Sequence, residues 1–330
     1  MDQPQADRAT RPADGGVPYR SILVGFEGRP EAADALGLGR AIAEQTGATL
    51  VVATVLPYGP SPALGRETFD GRLSGDTTRL FDPIMPQLEG LDFSVHALGG
   101  GSPARKLGEL AEDEQVDLIV VGSTHRGTLG RVYPGSVGER LLHGATCPVA
   151  VAPRGLATAG WRLERLGVAY DGSDEGRGAV DHAAALAHHV GVPLRIIGVV
   201  DPFVPAPFDR AVPREIEAAT KHGETVGERR RRILSELLRQ AVAKQSSVVD
   251  AGHELLEGDP PEQLISASSG LDLLVLGSRC YGPLRHVLLG GVSAAVTRGA
   301  HCPTIVVPRG EAQRESPRGV KTAAISADRG

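Results

Sequence analysis

The chain repeats itself once, and this constrains the fold more than any single motif. A duplicated unit must supply its own core and then find a place for its copy. Residues 22–28 (ILVGFEG) recur as 167–172 (GVAYDG), 117–123 (DLIVVGS) as 272–278 (DLLVLGS), and 144–148 (GATCP) as 299–303 (GAHCP). The copies are offset by 144 residues at the first strand (Glu27 against Asp171) and by 155 at the fourth (Gly122 against Gly277). The second copy therefore carries an insertion in its first half, around residues 201–244.

Each copy alternates short β-branched runs with longer helical patterns, the signature of βαβ units around a parallel sheet covered on both faces. Strands are predicted at 21–26, 49–56, 93–97, 118–121 and 148–152, and again at 166–170, 194–200, 252–256, 273–276 and 303–307. Ser102-Pro103 and Asp259-Pro260 each place a capping oxygen before a proline at the first helical position, where the missing N–H costs nothing. Glu228 to Arg232 precede Ile233, Leu234, Leu237 and Leu238 at helical spacing, and read as the exposed part of an amphipathic helix. The expected architecture is α/β: two tandem doubly wound, five-stranded parallel sheets, at 19–154 and 163–309. A linker joins them at 155–162, polar tails lie at 1–18 and 310–330, and a Gly/Pro-rich surface loop is expected at 57–76.

At 330 residues the chain is long enough for about two domains with separate cores. Its 35 Lys and Arg against 40 Asp and Glu give a net charge of −5, so no overall positive field favours nucleic acid or anionic lipid. No apolar run approaches the roughly 20 residues of a membrane-spanning helix, and residues 1–18 lack the apolar core of a secretory signal. Cys147, Cys280 and Cys302 are too few and too scattered for a disulfide framework. A cytoplasmic protein is expected.

Ligands of an open parallel sheet sit beyond the carboxyl ends of the strands, at the point where strand order reverses. Glu27-Gly28, Thr54-Val55 and residues 122–136 reach that edge in the first copy; Asp171-Gly172-Ser173, residues 199–201 and 277–291 do so in the second. Glycines in the fourth-strand segments let backbone N–H groups approach an anion closely. The segment is not a P-loop, because Thr128 stands where its lysine belongs, and no GxGxxG follows either first strand. No nucleophile elbow or paired acid and base is present, so catalysis is not indicated.

A strand ending in an acidic residue plus Gly, a fourth strand running into G-x2-G-x9-G-(S/T), and Cys-Pro before the last strand together resemble the universal stress protein family. The resemblance covers both copies. It implies strand order 3-2-1-4-5 in each half, and an adenine-nucleotide site, for ATP or a relative, with Mg²⁺ only alongside the nucleotide. Glu27 and Asp171 would hold the ribose or adenine side, and Val55 and Val199 would flank adenine. The glycine motif would wrap the phosphates: Gly122, His125, Gly135, Ser136 and Val137 in the first half, Gly277, Cys280, Gly290, Gly291 and Val292 in the second. The resemblance also implies that the last strands meet antiparallel as an internal pseudo-dimer, with a further homodimer compatible.

Both motifs depart from the family pattern. His125 and Cys280 replace its middle glycine, Gly291 replaces the final Ser/Thr, and Glu27 replaces Asp. His125 either holds a phosphate as a cation or plugs the site. Ser136-Val137-Gly138-Glu139 fits an S-x-x-E capping box, a role compatible with phosphate contact, and Asp171 and Ser173 fit turn and cap roles. Arg126, Arg131, Arg279 and Arg285 either neutralise phosphate or are solvated. Cys147 and Cys302 read as buried apolar residues, with Cys280 the one cysteine placed for redox chemistry. His182, His188 and His189 read as a solvated helix face. Three readings follow: an adenine-nucleotide-binding stress sensor; a nucleotide-free interaction module keeping the same fold; or a slow nucleotide hydrolase, for which the sequence names neither a positioned water nor Mg²⁺ ligands.

Overall fold

A computed structural model of the chain describes residues 18–27, 30–56, 81–124, 128–158, 160–201, 223–278 and 289–308. His125, Arg126, Arg279, Cys280, Arg285, the 57–76 loop and nearly all of both tails lie outside these described residues. The first half contains β1 (Ser21–Gly25), α1 (Pro30–Thr46), β2 (Thr49–Leu56), α2 (Met85–Leu88), β3 (Phe93–Gly99), α3 (Pro103–Asp113), β4 (Leu118–Gly122), α4 (Ser136–Leu142) and β5 (Val149–Ala152). The second contains β6 (Leu166–Ala169), α5 (Asp174–Val190), β7 (Leu194–Val200), α6 (Val226–Gln245), β8 (Ala251–Glu257), α7 (Pro260–Ser268), β9 (Leu273–Gly277), α8 (Gly291–Val296) and β10 (Thr304–Val307).

All ten strands form one sheet in the order β3-β2-β1-β4-β5-β10-β9-β6-β7-β8. Each half is parallel in the 3-2-1-4-5 order, and the halves join where β5 and β10 pair antiparallel. At that seam Ala150 pairs with Ile305, its own counterpart in the repeat. The register therefore places a pseudo-twofold axis through this pair, as in an isologous dimer interface. Both last strands gain a neighbour and neither is left as an open edge.

Alternation along the central strands sends Ala150, Ala152, Ile305 and Val307 into one apolar layer, under α1, α5 and α6. Val149, Val151 and Val306 enter the other, with Leu107 of α3, Leu141 of α4, Leu264 of α7 and Val296 of α8. Each layer draws on both halves, so burial is continuous across the seam. The insertion in the second copy includes α6, which starts at a capping box between Thr225 and Glu228 and buries Ile233, Leu234, Leu237 and Leu238. The expectation that Glu228 to Arg232 form only an exposed stretch needs correction: Arg230 is buried and reaches the Asp201 carbonyl, and Arg232 pairs with Glu224 at 2.8 Å.

The repeated Asp before the fourth strand of each half has a structural reason. Asp117 Oδ2 accepts from the amides of Arg20 (2.8 Å) and Ser21 (3.2 Å), tying β4 to the start of β1. Asp272 Oδ2 accepts from the amides of Arg165 (2.7 Å) and Glu164 (3.1 Å), and Arg165 Nη2 donates to its Oδ1 at 2.7 Å. Burial pushes the Asp272 carboxyl up, but the Arg165 guanidinium and the two amides outweigh it and hold the group below the usual carboxylate range. A carboxyl lowered on folding stabilises the native state above its unfolded pKa, and that stability is lost as pH falls through the folded value. Asp272→Asn is expected to cost about 1–2 kcal/mol at pH 7. The gap to the native chain should close below about pH 4, as urea titrations at both pH values would measure.

Thr304 is fully buried at the seam, and its hydroxyl has no hydrogen-bond partner. Its counterpart in the first half is Val149. Burying an unpaired hydroxyl costs about 1–3 kcal/mol, so the near-isosteric Thr304→Val is expected to raise stability by about 1 kcal/mol in chemical denaturation.

Candidate functional site

Each half ends its parallel strands in a cleft at the carboxyl edge, where the helices after β1 and β4, or β6 and β9, depart to opposite faces. In the first half the main chain beyond β1 continues the ladder, with Phe26 N donating to Ala53 O at 2.8 Å, and this sets Glu27 at the rim. Glu27, Val55, Gly122, Thr124, Gly135, Ser136 and Val137 line a cleft of about 240 Å³. Ser123 closes its far wall: its Oγ donates to Ala152 O at 2.6 Å and accepts from Tyr133 N at 3.0 Å, pinning the returning chain back on β4.

The capping-box reading of Ser136 is not upheld. The N-cap is Gly135, Ser136 is already the first helical residue, and no side-chain cap bond forms. Glu139, the expected partner, instead pairs with Arg298 of the second half at 2.9 Å. The Ser136 side chain faces the cleft rim and is exposed. Ser102 also fails to cap α3 with its side chain, and its hydroxyl accepts from Arg140 Nη1 at 3.2 Å.

In the second half Asp171, Val199, Gly277, Gly290, Gly291 and Val292 line a larger cleft of about 420 Å³. Every expected site residue that is described thus faces the cleft of its own half. Asp171 also serves the turn it was expected to serve: its Oδ1 accepts from the Ser173 amide at 3.1 Å and from the Ser173 hydroxyl, while Ser173 Oγ caps α5 by accepting from Gly176 N at 3.0 Å. Gly277 is required for close packing: a Cβ there would lie 2.9 Å from the Glu175 carbonyl at the start of α5. The N-caps Gly135 and Gly290 have φ of −75° and −68°, so neither needs left-handed backbone. Where Gly291 removes the motif hydroxyl, Ser293 supplies one two residues later, and its Oγ donates to Gly277 O at 2.7 Å.

Part of each lining escaped the sequence reading. Pro103 and Leu107 of α3 close the first cleft; Asp259, Pro260, Pro261 and Leu264 of α7 close the second, with Glu175 from α5. The Ser/Asp-Pro helix starts were visible, and Asp259 caps α7 by accepting from Glu262 N at 3.2 Å. Their presence at the ligand edge follows from the helix after the third strand crossing back over the second. Tyr170, in the place of Phe26, also lines the second cleft; burial pushes its phenol up against the opposing hydrogen bond from Arg177, so it stays neutral.

Other expected candidates are used elsewhere. Arg131 faces away from the first cleft and donates to Gly299 O at 2.8 Å, beside the Val132 amide, which donates to Ala300 O at 2.9 Å. His182 is half-buried, not part of a freely solvated face: its ring hydrogen-bonds the Tyr19 hydroxyl at 2.7 Å across the two halves. His188 and His189 are exposed and meet the carbonyls of Val248 and Thr46. Cys147 and Cys302 are buried as expected, and burial pushes the Cys302 thiol up to about 12. Among the described residues no helix is long and apolar enough to cross a membrane.

The profile of the universal stress protein family matches the chain twice, over residues 18–153 and 163–308. Universal stress protein Rv2319c of Mycobacterium tuberculosis is 27% identical over 300 residues, covering 87% of this chain and 99% of the relative. Among solved structures, a putative universal stress protein from Pseudomonas aeruginosa superposes with a TM-score of 0.60 at 19% identity, covering 88% of this chain and 94% of that one. One from Archaeoglobus fulgidus does so with a TM-score of 0.58 at 18% identity, covering 88% and 99%. The duplicated sequence, the fold of each half and the double family match lead to one assignment: the chain belongs to the universal stress protein family, with two such domains in tandem.

Proposed function

We propose that the chain is an adenine-nucleotide-binding regulator, and that the ligand occupies the cleft of the second half. The supporting observation is that cleft itself. Its volume, about 420 Å³, falls within the roughly 300–1,000 Å³ of small-molecule sites, whereas the first cleft, at about 240 Å³, falls below it. Apolar walls from Ile197, Val199, Leu264 and Leu276 suit a flat heteroaromatic ring, and the Asp171 carboxylate at the rim suits ribose hydroxyls. Gly290, Gly291 and Val292 offer close backbone approach on the phosphate side. Mg²⁺ would enter only with a nucleotide.

The first half then acts as the structural partner that completes the sheet. Its narrower cleft gives the nucleotide-free reading a specific place, confined to that half. Binding without turnover fits a site whose one motif carboxylate already accepts from the Ser173 amide and hydroxyl. Thermal unfolding of the full chain, titrated with adenosine, AMP and ATP with Mg²⁺, tests the proposal. A ligand at 100 times its Kd is expected to add about 2.7 kcal/mol, with no phosphate release above a buffer control. No shift with any of the three at millimolar concentration would overturn the proposal.

A further inference from the structure

The glycine motif of the second half carries Gly291 where the first half has Ser136, but another hydroxyl lies in the same cleft. Three serines line it: Ser173, Ser278 and Ser293. Two have committed their protons, Ser173 to Asp171 Oδ1 and Ser293 to Gly277 O at 2.7 Å. The Tyr170 phenol is engaged with Arg177. Ser278 differs: it is fully buried, and its hydroxyl has no hydrogen-bond partner among the described residues.

The repeat shows that this is not a habit of the position. Ser123, the counterpart of Ser278, donates from its main-chain N to Ala152 O at 3.1 Å. Its Oγ donates to the same carbonyl at 2.6 Å and accepts from Tyr133 N at 3.0 Å. Ser278 keeps the main-chain bond, its N donating at 3.0 Å to the oxygen of Val307, the residue equivalent to Ala152. Its hydroxyl does not join that carbonyl. The two halves thus differ here in the side chain and not in the strand pairing. A buried hydroxyl without a partner carries a desolvation cost that a ligand acceptor would offset. Of the two such hydroxyls, Thr304 lies at the seam and only Ser278 lines a cleft. A serine Oγ steps among three staggered positions about χ1, so it can turn to a ligand without main-chain movement. Shielded from bulk water, its bond to an anionic oxygen would be stronger than at the surface.

We infer that Ser278 is the hydroxyl donor of the second cleft, and that it donates to a phosphate oxygen of the adenine ligand in place of the motif hydroxyl that Gly291 removes. Its companions in the lining, Gly277, Gly290, Gly291 and Val292, are those of the phosphate side. This rests on the adenine-ligand reading above and adds to it the residue that tells a nucleotide from its nucleoside.

Calorimetric titration of the native and Ser278→Ala chains with AMP and with adenosine tests it, alongside urea unfolding of both chains without ligand. In Ser278→Ala, AMP is expected to bind at least about tenfold more weakly, and adenosine within about twofold of the native chain. The unfolding midpoint should be unchanged or higher, because the free protein loses no hydrogen bond. Ser123→Ala gives the contrast: it removes both bonds of the Ser123 hydroxyl, so its midpoint should fall while AMP binds as in the native chain. An AMP affinity unmoved in Ser278→Ala, an equal fall for adenosine, or a matching fall in Ser123→Ala would overturn the inference and leave the adenine-ligand reading standing. A lowered midpoint or a failure to fold in Ser278→Ala would do the same, since the hydroxyl would then hold the protein and not the ligand. Absence of binding of both AMP and adenosine to the native chain would overturn both.

Discussion

Replacing Asp34 by alanine is expected to lower stability by about 3 kcal/mol, a loss read in urea or guanidinium unfolding. Asp34 sits on α1 and is 5% exposed, and both its oxygens are used: Oδ2 accepts from Gly155 N and Oδ1 from Ala157 N, each at 2.8 Å. Hydrogen bonds to a charged group contribute about 1.5–3 kcal/mol each, and the two donors would be stranded together. The described residues between the domains are thereby tied down on both sides, with the Trp161 indole N–H donating to Asp272 O at 3.0 Å and Gln45 bracketing Leu163. Asp34→Asn keeps one acceptor and should lose about half as much. A loss under 1 kcal/mol for Asp34→Ala would mean that the linker is only loosely tied to α1.

Ile305→Ala is expected to cost about 3 kcal/mol, within the range of buried isoleucine truncations. Ile305 is fully buried and lies opposite Ala150, so the facing residue is too small to fill the cavity left behind. Because both apolar layers cross the seam, the native chain should unfold in a single transition, with the variant shifted along the denaturant axis. Two separated transitions in the native chain would contradict the continuous core.

The fold was legible because its signals are local and doubled. The central strands of both halves are apolar runs whose boundaries fall where Gly, Pro and Asp interrupt them, only the edge strands β3 (FSVHALG) and β8 (AGHELLE) being more polar, and two copies of one pattern reinforce each other. The cleft lining was legible for the same reason, since strand ends of a doubly wound sheet project their residues to one edge. Signals of one residue's precision were less secure. Ser136-Val137-Gly138-Glu139 matches a capping box, but Gly135 takes the cap, and a four-residue pattern carries no information about that one-residue shift. Glu139 then turns to Arg298, 159 positions away.

Contacts of that range had no sequence signal at all. Asp34 reaches the linker, Arg131 reaches Gly299, and Tyr19 reaches His182, each by virtue of how the halves meet. The lining of the second cleft is a similar case. Asp171 and Asp201 stood at expected strand ends and Asp259 read as a helix cap, which it is, but Glu175 carried no sequence reading, and only the packing of α5 and α7 brings Glu175 and Asp259 to the same cleft.

The central claim, that the second cleft takes an adenine ligand, is tested most directly by calorimetric stoichiometry on the full chain and on Val199→Trp. Val199 is half-buried and lines that cleft, so an indole there fills the ring pocket. Adenosine or ATP with Mg²⁺ should bind to one equivalent per native chain and to none in a folded Val199→Trp chain. Undiminished binding in that variant, or no binding by the native chain, would contradict the claim.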